Sequence, residues 1–206
     1  MLFDSHCHLN LAAFETDREE IIKRMEQEKI FAINVGTCFE TSKKAIKIAE
    51  DTSNCWASVG LHSAHTFPAP PNQLDKNEIN NFQDNLGNTL PAEEFDSKFE
   101  DLIRRHKKVA AIGECGLDYS YFKEISSEEQ EKCKELEEEE FRKQIKIAQK
   151  YNLPLILHLR DLYKEALGIL KENNYSGKAV FHFFTGSLEE SKSILQNPNF
   201  YLGFSG

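Results

Sequence analysis

Apolar residues gather in short β-rich runs, separated by longer stretches in which apolar and charged positions recur with helical spacing. The runs predict strands over Leu2–His6, Phe31–Val35, Trp56–Leu61, Val109–Glu114, Leu155–His158, Ala179–Phe183 and Phe200–Phe204. The intervening stretches predict helices over Glu19–Glu28, Ser42–Thr52, Phe95–His106, Glu128–Tyr151, Asp161–Asn173 and Leu188–Gln196. Ile21, Ile22 and Met25, then Ala45, Ile46, Ile48 and Ala49, fall at helical intervals. Strand and helix alternate six times and close on a seventh strand, which reads as α/β with a mostly parallel sheet. The strands are apolar throughout, as expected where both faces of a sheet are covered.

Two stretches break the rhythm. Residues 67–91 hold four prolines and six asparagines and read as a loop insertion, either a solvated surface segment or a lid. Glu128–Glu140 is crowded with glutamates at 135 and 137–140, which reads as the solvated face of a long helix.

Composition narrows the classes. The 206 residues are 40% hydrophobic, enough to bury a core, and no apolar run is long enough to span a bilayer. The first charge comes at Asp4, leaving no apolar segment for a signal peptide. Five scattered cysteines with no CxxC pair predict reduced thiols and a cytoplasmic protein, not a disulfide scaffold. A net charge of −9 disfavours sequence-blind coating of nucleic acid, but not a small site that processes a strand end.

The seven histidines carry the chemistry. His106 sits in a basic helix end, whereas His6, His8, His62, His158 and His182 lie at or just beyond the C-terminal ends of predicted strands, and His65 follows His62 by three. In a parallel barrel those ends point to one rim, so the imidazoles converge. Alternation along a strand puts Asp4, His6 and His8 on one face, with Asp4 as an acceptor that could fix an imidazole tautomer. Glu114 closes the apolar run Ala110–Gly113, where a carboxylate is costly unless paired or bound to metal. Either a bridge between two ions or a salt bridge to a residue such as Arg160 would answer that cost. Imidazoles with a carboxylate suit zinc, manganese, iron or nickel better than an all-oxygen magnesium site.

Five ordered blocks carry a family resemblance. They are Asp4-Ser5-His6-Cys7-His8, Val59-Gly60-Leu61-His62, Ile112-Gly113-Glu114-Cys115-Gly116-Leu117-Asp118-Tyr119, Pro154–Asp161 and Phe181–Ser187. Together they resemble the signatures of the TatD family of metal-dependent deoxyribonucleases, within the amidohydrolase superfamily. The resemblance implies a TIM-type (β/α) barrel, incomplete as given with about seven of eight strands, in a single hydrolase domain over residues 1–206. It implies two divalent ions (zinc, magnesium or manganese), with His6 and His8 on one, His158 and His182 on the other, and Glu114 as the bridge. His62 is then expected to contact the scissile phosphate, and Arg160 to meet a phosphate or pair with Asp118 or Asp161. His65 could supply a nearby polar contact, because the family's proline after the third-strand histidine is replaced here by Ser63.

The function so implied is hydrolysis of DNA phosphodiesters at single strands or strand ends, as a 3'-5' exonuclease-like deoxyribonuclease. Glu114 and His62 are the expected catalytic residues. The family's eighth-strand aspartate has no counterpart in residues 1–206, so a slowed or inactive metal-binding chain is one alternative. Hydrolysis of a carbonyl substrate such as a lactone, cyclic amide or aminoacyl ester is another, because the same metal-bound hydroxide can attack carbon. Aromatic residues Phe67, Tyr119, Tyr121 and Phe184 are expected on rim loops, packed beneath them or stacking on a base.

Overall fold

A computed structural model describes residues 1–66, 92–123 and 125–204, with the side chains of 92–96 left out. The expected 67–91 insertion, and Phe67 with it, lies outside the described residues. Seven strands and six α-helices are present among the described residues, in the alternating order the periodicity predicts. They group into two compact units. One holds Met1–Gly60 and the described residues up to Ala110; the other holds Leu61–Thr66 and the described residues from Ala111 onward.

In the first unit, β1 (Leu2–Cys7), β2 (Ile30–Val35) and β3 (Cys55–Val59) form parallel pairs in sequence order. The Ala57 N–H donates to the Lys108 carbonyl at 2.9 Å, leading the chain into β4 (Val109–Leu117). Helices α1 (Arg18–Gln27), α2 (Phe39–Asp51) and α3 (Ala92–Arg105) complete this unit. Its core sets Ala32, Val35 and Val59 from the strands with Ala45, Ile46 and Ala49 from α2, all nearly or fully buried. The last three fulfil the helical spacing read from the chain. β1 departs from the expectation of covered strands, because Leu2 and Phe3 are 68% and 58% exposed. It is the terminal strand of this unit's order, paired with β2 along one side.

In the second unit, β4 pairs with β5 (Leu155–Leu159), β5 with β6 (Ala179–Phe181) and β6 with β7 (Phe200–Leu202), all parallel. Helices α4 (Ser127–Tyr151), α5 (Tyr163–Glu172) and α6 (Leu188–Ile194) alternate with them. Phe141, Ile145, Leu155, Leu157 and Phe181 are all within 1% of full burial. Each contributes about 1.5–3 kcal/mol of transfer free energy. Helix α4 starts at a capping box, in which Ser126 and Glu129 satisfy each other's backbone N–H groups, and stops at Asn152 in the left-handed conformation.

The glutamate run is not wholly solvated. Glu137 and Glu140 are buried, at 0% and 6% exposure, while Glu138 and Glu139 lean outward to Arg142 and Lys143. Residues 137, 141, 144, 145 and 148 follow the i, i+4, i+7, i+8, i+11 spacing of one helix face, and that face is the buried one. A run of like charges therefore crosses from solvent into the core within one turn.

Candidate metal and phosphate site

Within the first unit, His6 and His8 bring their Nε2 atoms to 2.9 Å of each other. A zinc–imidazole bond of about 2.0–2.1 Å in tetrahedral geometry separates two ligand nitrogens by about 3.3 Å. Only a small opening of this pair is needed to admit an ion. His8 Nδ1 lies 3.2 Å from the Val35 carbonyl, which accepts its proton and leaves the Nε2 lone pair facing His6. The expected role of Asp4 is thereby corrected. Its carboxylate accepts the His6 backbone N–H at 2.9 Å, within a local irregularity between Asp4 and Cys7, and the backbone carbonyl of β2 orients His8 instead.

In the second unit, His62, Glu114 and His158 present ligand atoms within 4.8 Å of one another. Glu114 is buried and sits inside β4, not at its end, because β4 continues three residues to Leu117. Its Oε1 lies 3.0 Å from His158 Nδ1 and 3.7 Å from His62 Nε2. On the other side of the same ring, His158 Nε2 lies 3.3 Å from Asp118 Oδ2. Glu114, Gly116 and Asp118 share one face of the extended chain, so both carboxylates reach the imidazole opposite.

Gly116 allows the close approach. It pairs with His158 across the ladder at φ +144°, and a Cβ there would collide with the His158 carbonyl.

The electrostatics separate the two histidines. Burial would depress His158, but hydrogen bonds with Asp118 and Glu114 outweigh it and raise the ring to about 9. Burial alone would likewise raise Asp118, yet bonds from His158 and Ser120 hold it below the usual carboxylate range. His62 goes the other way. Burial first, then the neighbouring His158 charge, push it well below 6.5. Its Nδ1 accepts the Ala64 backbone N–H at 3.1 Å, so the neutral ring carries its proton on Nε2, facing Glu114. The orientation makes His62 a hydrogen-bond donor toward the site, whereas a metal ligand would need that lone pair free. His158 suits a ligand. Exchanging its Nδ1 proton for an ion would leave Nε2–H on Asp118, the usual arrangement behind a ligating imidazole.

The remaining expected residues are placed as follows. Arg160, half exposed, puts Nε 3.2 Å from Asp118 Oδ2 and Nη1 3.3 Å from Ser120 Oγ. The Asp118 alternative is the pairing observed. His65 ends the short turn Ser63–His65, and its backbone N–H donates to the His62 carbonyl at 2.8 Å. Burial lowers its ring to about 4. His182 follows β6, its backbone N–H donating to the Leu157 carbonyl, and its ring lies beside Phe183. It belongs to no group of metal-capable side chains found among the described residues. Tyr121 packs beneath its loop, 7% exposed, with its ring near His62. None of the five cysteines forms a disulfide.

The sequence reading expected Asp118 only as a partner of Arg160 and missed its contact with His158. The even offset of Asp118 from Glu114 was the available signal.

Comparison with known proteins gives the family. Residues 3–206 match the family described as TatD related DNase. The chain is 34% identical over 213 residues to the metal-dependent hydrolase YabD of Bacillus subtilis, covering all of this chain and 69% of that protein. It is 27% identical to the 3'-5' ssDNA/RNA exonuclease TatD of Cronobacter sakazakii, covering 66% of it. The crystal structure of the TatD homologue YjjV from Escherichia coli K12 superposes with a TM-score of 0.72 at 25% identity, over 98% of this chain and 66% of that one. The chain therefore spans about two thirds of the length of these relatives. The superposition agrees with the α/β class read from the strand order and with the barrel type that the family resemblance implies. No helix among the described residues is long and apolar enough to cross a membrane. The chain belongs to the TatD related DNase family of metal-dependent hydrolases.

Proposed function

We propose that this chain hydrolyses phosphodiester bonds of DNA at the end of a single strand, using divalent ions held by His6, His8, Glu114, His158 and His182. The observation that carries the reading is the Glu114–His158–Asp118 chain, a buried carboxylate and an imidazole converging at 3.0 Å with a second carboxylate behind the ring. A carboxylate and an imidazole this close would need only a small opening to bond one zinc, magnesium or manganese ion. Ions bound there would supply Lewis acidity, lowering the pKa of a water and offsetting the charge that builds on the phosphate.

The protein's own side chains do the rest. His62 Nε2–H donates to a non-bridging phosphate oxygen, where its depressed basicity keeps it neutral. Arg160, braced by Asp118 and Ser120, presents its exposed guanidinium to a neighbouring phosphate, and His65 stands by as a further polar contact. Water oxygen joins phosphorus as the phosphorus–oxygen bond to the departing nucleotide breaks, the water giving up one proton and the departing oxygen taking one up. A substrate entering by its 3' end, as the exonuclease named among the relatives takes it, fits a chain whose charge of −9 disfavours long electrostatic tracking.

The test is a 5'-labelled single-stranded oligonucleotide incubated with the 206-residue chain and manganese or magnesium. A ladder shortening from the 3' end, lost in Glu114→Gln, is expected. Product no greater than the Glu114→Gln background overturns the reading, and turnover of lactones or aminoacyl esters without nuclease products would assign the carbonyl alternative.

A further inference from the structure

We propose that helix α4 is the positioning element of this site, its buried Glu137 and Gln144 holding the backbone at Asp118 and Leu61 and thereby setting His158, Arg160 and His62. Glu137 is fully buried, and its Oε2 accepts the Asp118 backbone N–H at 3.0 Å. Gln144, 2% exposed, clamps Leu61 through both ends of its amide. Oε1 accepts the Leu61 N–H and Nε2 donates to the Leu61 carbonyl, each at 2.9 Å. Seven residues are two helical turns, so the two side chains stand about 10 Å apart along one face.

Each anchored backbone group lies just past a strand, where the ladder no longer supplies partners, and each is next to chemistry. Asp118 itself bonds His158 and Arg160, and Leu61 directly precedes His62.

Core packing alone would not select these residues. A buried carboxyl and a buried amide are costly, and Phe141, Ile145 and Ala148 on the same face already supply the apolar contact. Glu137 Oε1 has no hydrogen-bond partner among the described residues, so only one of its oxygens is used. Burial pushes the carboxyl up to about 8, which leaves it mostly protonated at neutral pH and makes glutamine its close mimic. The requirement at 137 is thus an acceptor of fixed height on the helix, not a charge. Helix α4 works as a rigid rail, and the loops after β3 and β4 hang from it at two fixed points.

This inference rests on the hydrolase reading for its consequence but is tested apart from it. Long-range 1H–15N spectra of the imidazoles are recorded on the metal-free chain at pH 7 for Glu137→Met, Gln144→Met, Glu137→Gln and the packing control Ile145→Val. Glu137→Met is expected to move the His158 nitrogens more than those of His62, and Gln144→Met the reverse. Glu137→Gln should reproduce the parent spectrum. Ile145→Val should lower thermal stability without favouring either ring.

If Glu137→Met does not fold, Gln144→Glu, which keeps the acceptor for the Leu61 N–H but sets a carboxyl oxygen against the Leu61 carbonyl in place of the donor, must shift His62 preferentially. In manganese-dependent hydrolysis of bis(p-nitrophenyl) phosphate, Glu137→Met should lower kcat about ten- to a hundredfold with KM little changed, and Glu137→Gln should restore it. Unchanged rings in the folded Met variants, or the pattern of Ile145→Val, overturn the proposal. Absence of hydrolysis by the parent chain overturns the functional reading instead, and leaves the crossed imidazole pattern to decide this one.

Discussion

At the scale of the residue, the protonation of His158 has the clearest consequence. Held between Glu114 and Asp118 and raised to about 9, it carries both ring protons at pH 7 in the metal-free chain. Binding an ion through Nδ1 must expel one of them. Calorimetric titration of the chain with zinc, in buffers of differing ionisation enthalpy, should therefore report close to one proton released at this ligand. Asp118→Asn should reduce that release, because the substitution removes one of the two carboxylates that raise the ring. A release that is nil in the parent chain would place the ion away from His158.

Glu137 supplies a second prediction at the same scale. Its pKa is about 8 in the folded chain against 4.5 in the unfolded one, so between those values the folded state binds more protons and stability falls as pH rises. Glu137→Gln removes that loss. The variant should match the parent below pH 4.5 and exceed it progressively toward pH 8, by on the order of 3 kcal/mol at pH 7. Denaturant melts at several pH values check the sign. A difference that shrinks as pH rises would show that the carboxyl is ionised in the folded protein.

At the scale of the element, β4 and α4 govern the site. Gly116 holds β4 against β5 at a conformation that side chains rarely adopt, directly opposite His158. Gly116→Ala should destabilise the chain by about 1–3 kcal/mol and, by displacing the His158 carbonyl, weaken zinc affinity beyond what the lost stability explains. A melting curve paired with a zinc titration separates the two effects.

Strand and helix positions were legible along the chain because burial imposes periods of two and 3.6 on the apolar residues. Residues 141, 145 and 148 carry that spacing and form the buried face of α4. Extending the same spacing back to 137 and across to 144 marks Glu137 and Gln144 as polar residues on an inward face. The glutamate run masked this, because a block of like charge reads as solvated when the helical phase of each member is ignored. The end of β4 was misjudged for a related reason. Cys115, Gly116 and Leu117 follow a buried glutamate that looks like a terminator, yet the ladder to β5 continues past it after a register shift.

At the scale of the whole molecule, charge limits how nucleic acid can be held. With 25 basic against 34 acidic residues, the chain should grip few phosphates at once. Binding of a single-stranded oligonucleotide to a hydrolysis-deficient Glu114→Gln chain should weaken only gently with salt. A log–log slope near −1 to −2 corresponds to about two phosphate contacts. A slope several times steeper would require a basic track outside the site described.

The sequence alone determined the α/β alternation, the order of the ligand-capable blocks and the family, because each is a property of residue type and spacing read along one dimension. Tertiary structure alone decided which atom faces which. It placed Asp118 behind His158, gave His8 the Val35 carbonyl in place of Asp4, and turned the His62 proton toward Glu114. Those outcomes depend on strand register, on a close approach at Gly116 and on the phase of α4. Each is set by packing between segments far apart in the chain, where a shift of one residue turns a side chain to the opposite face.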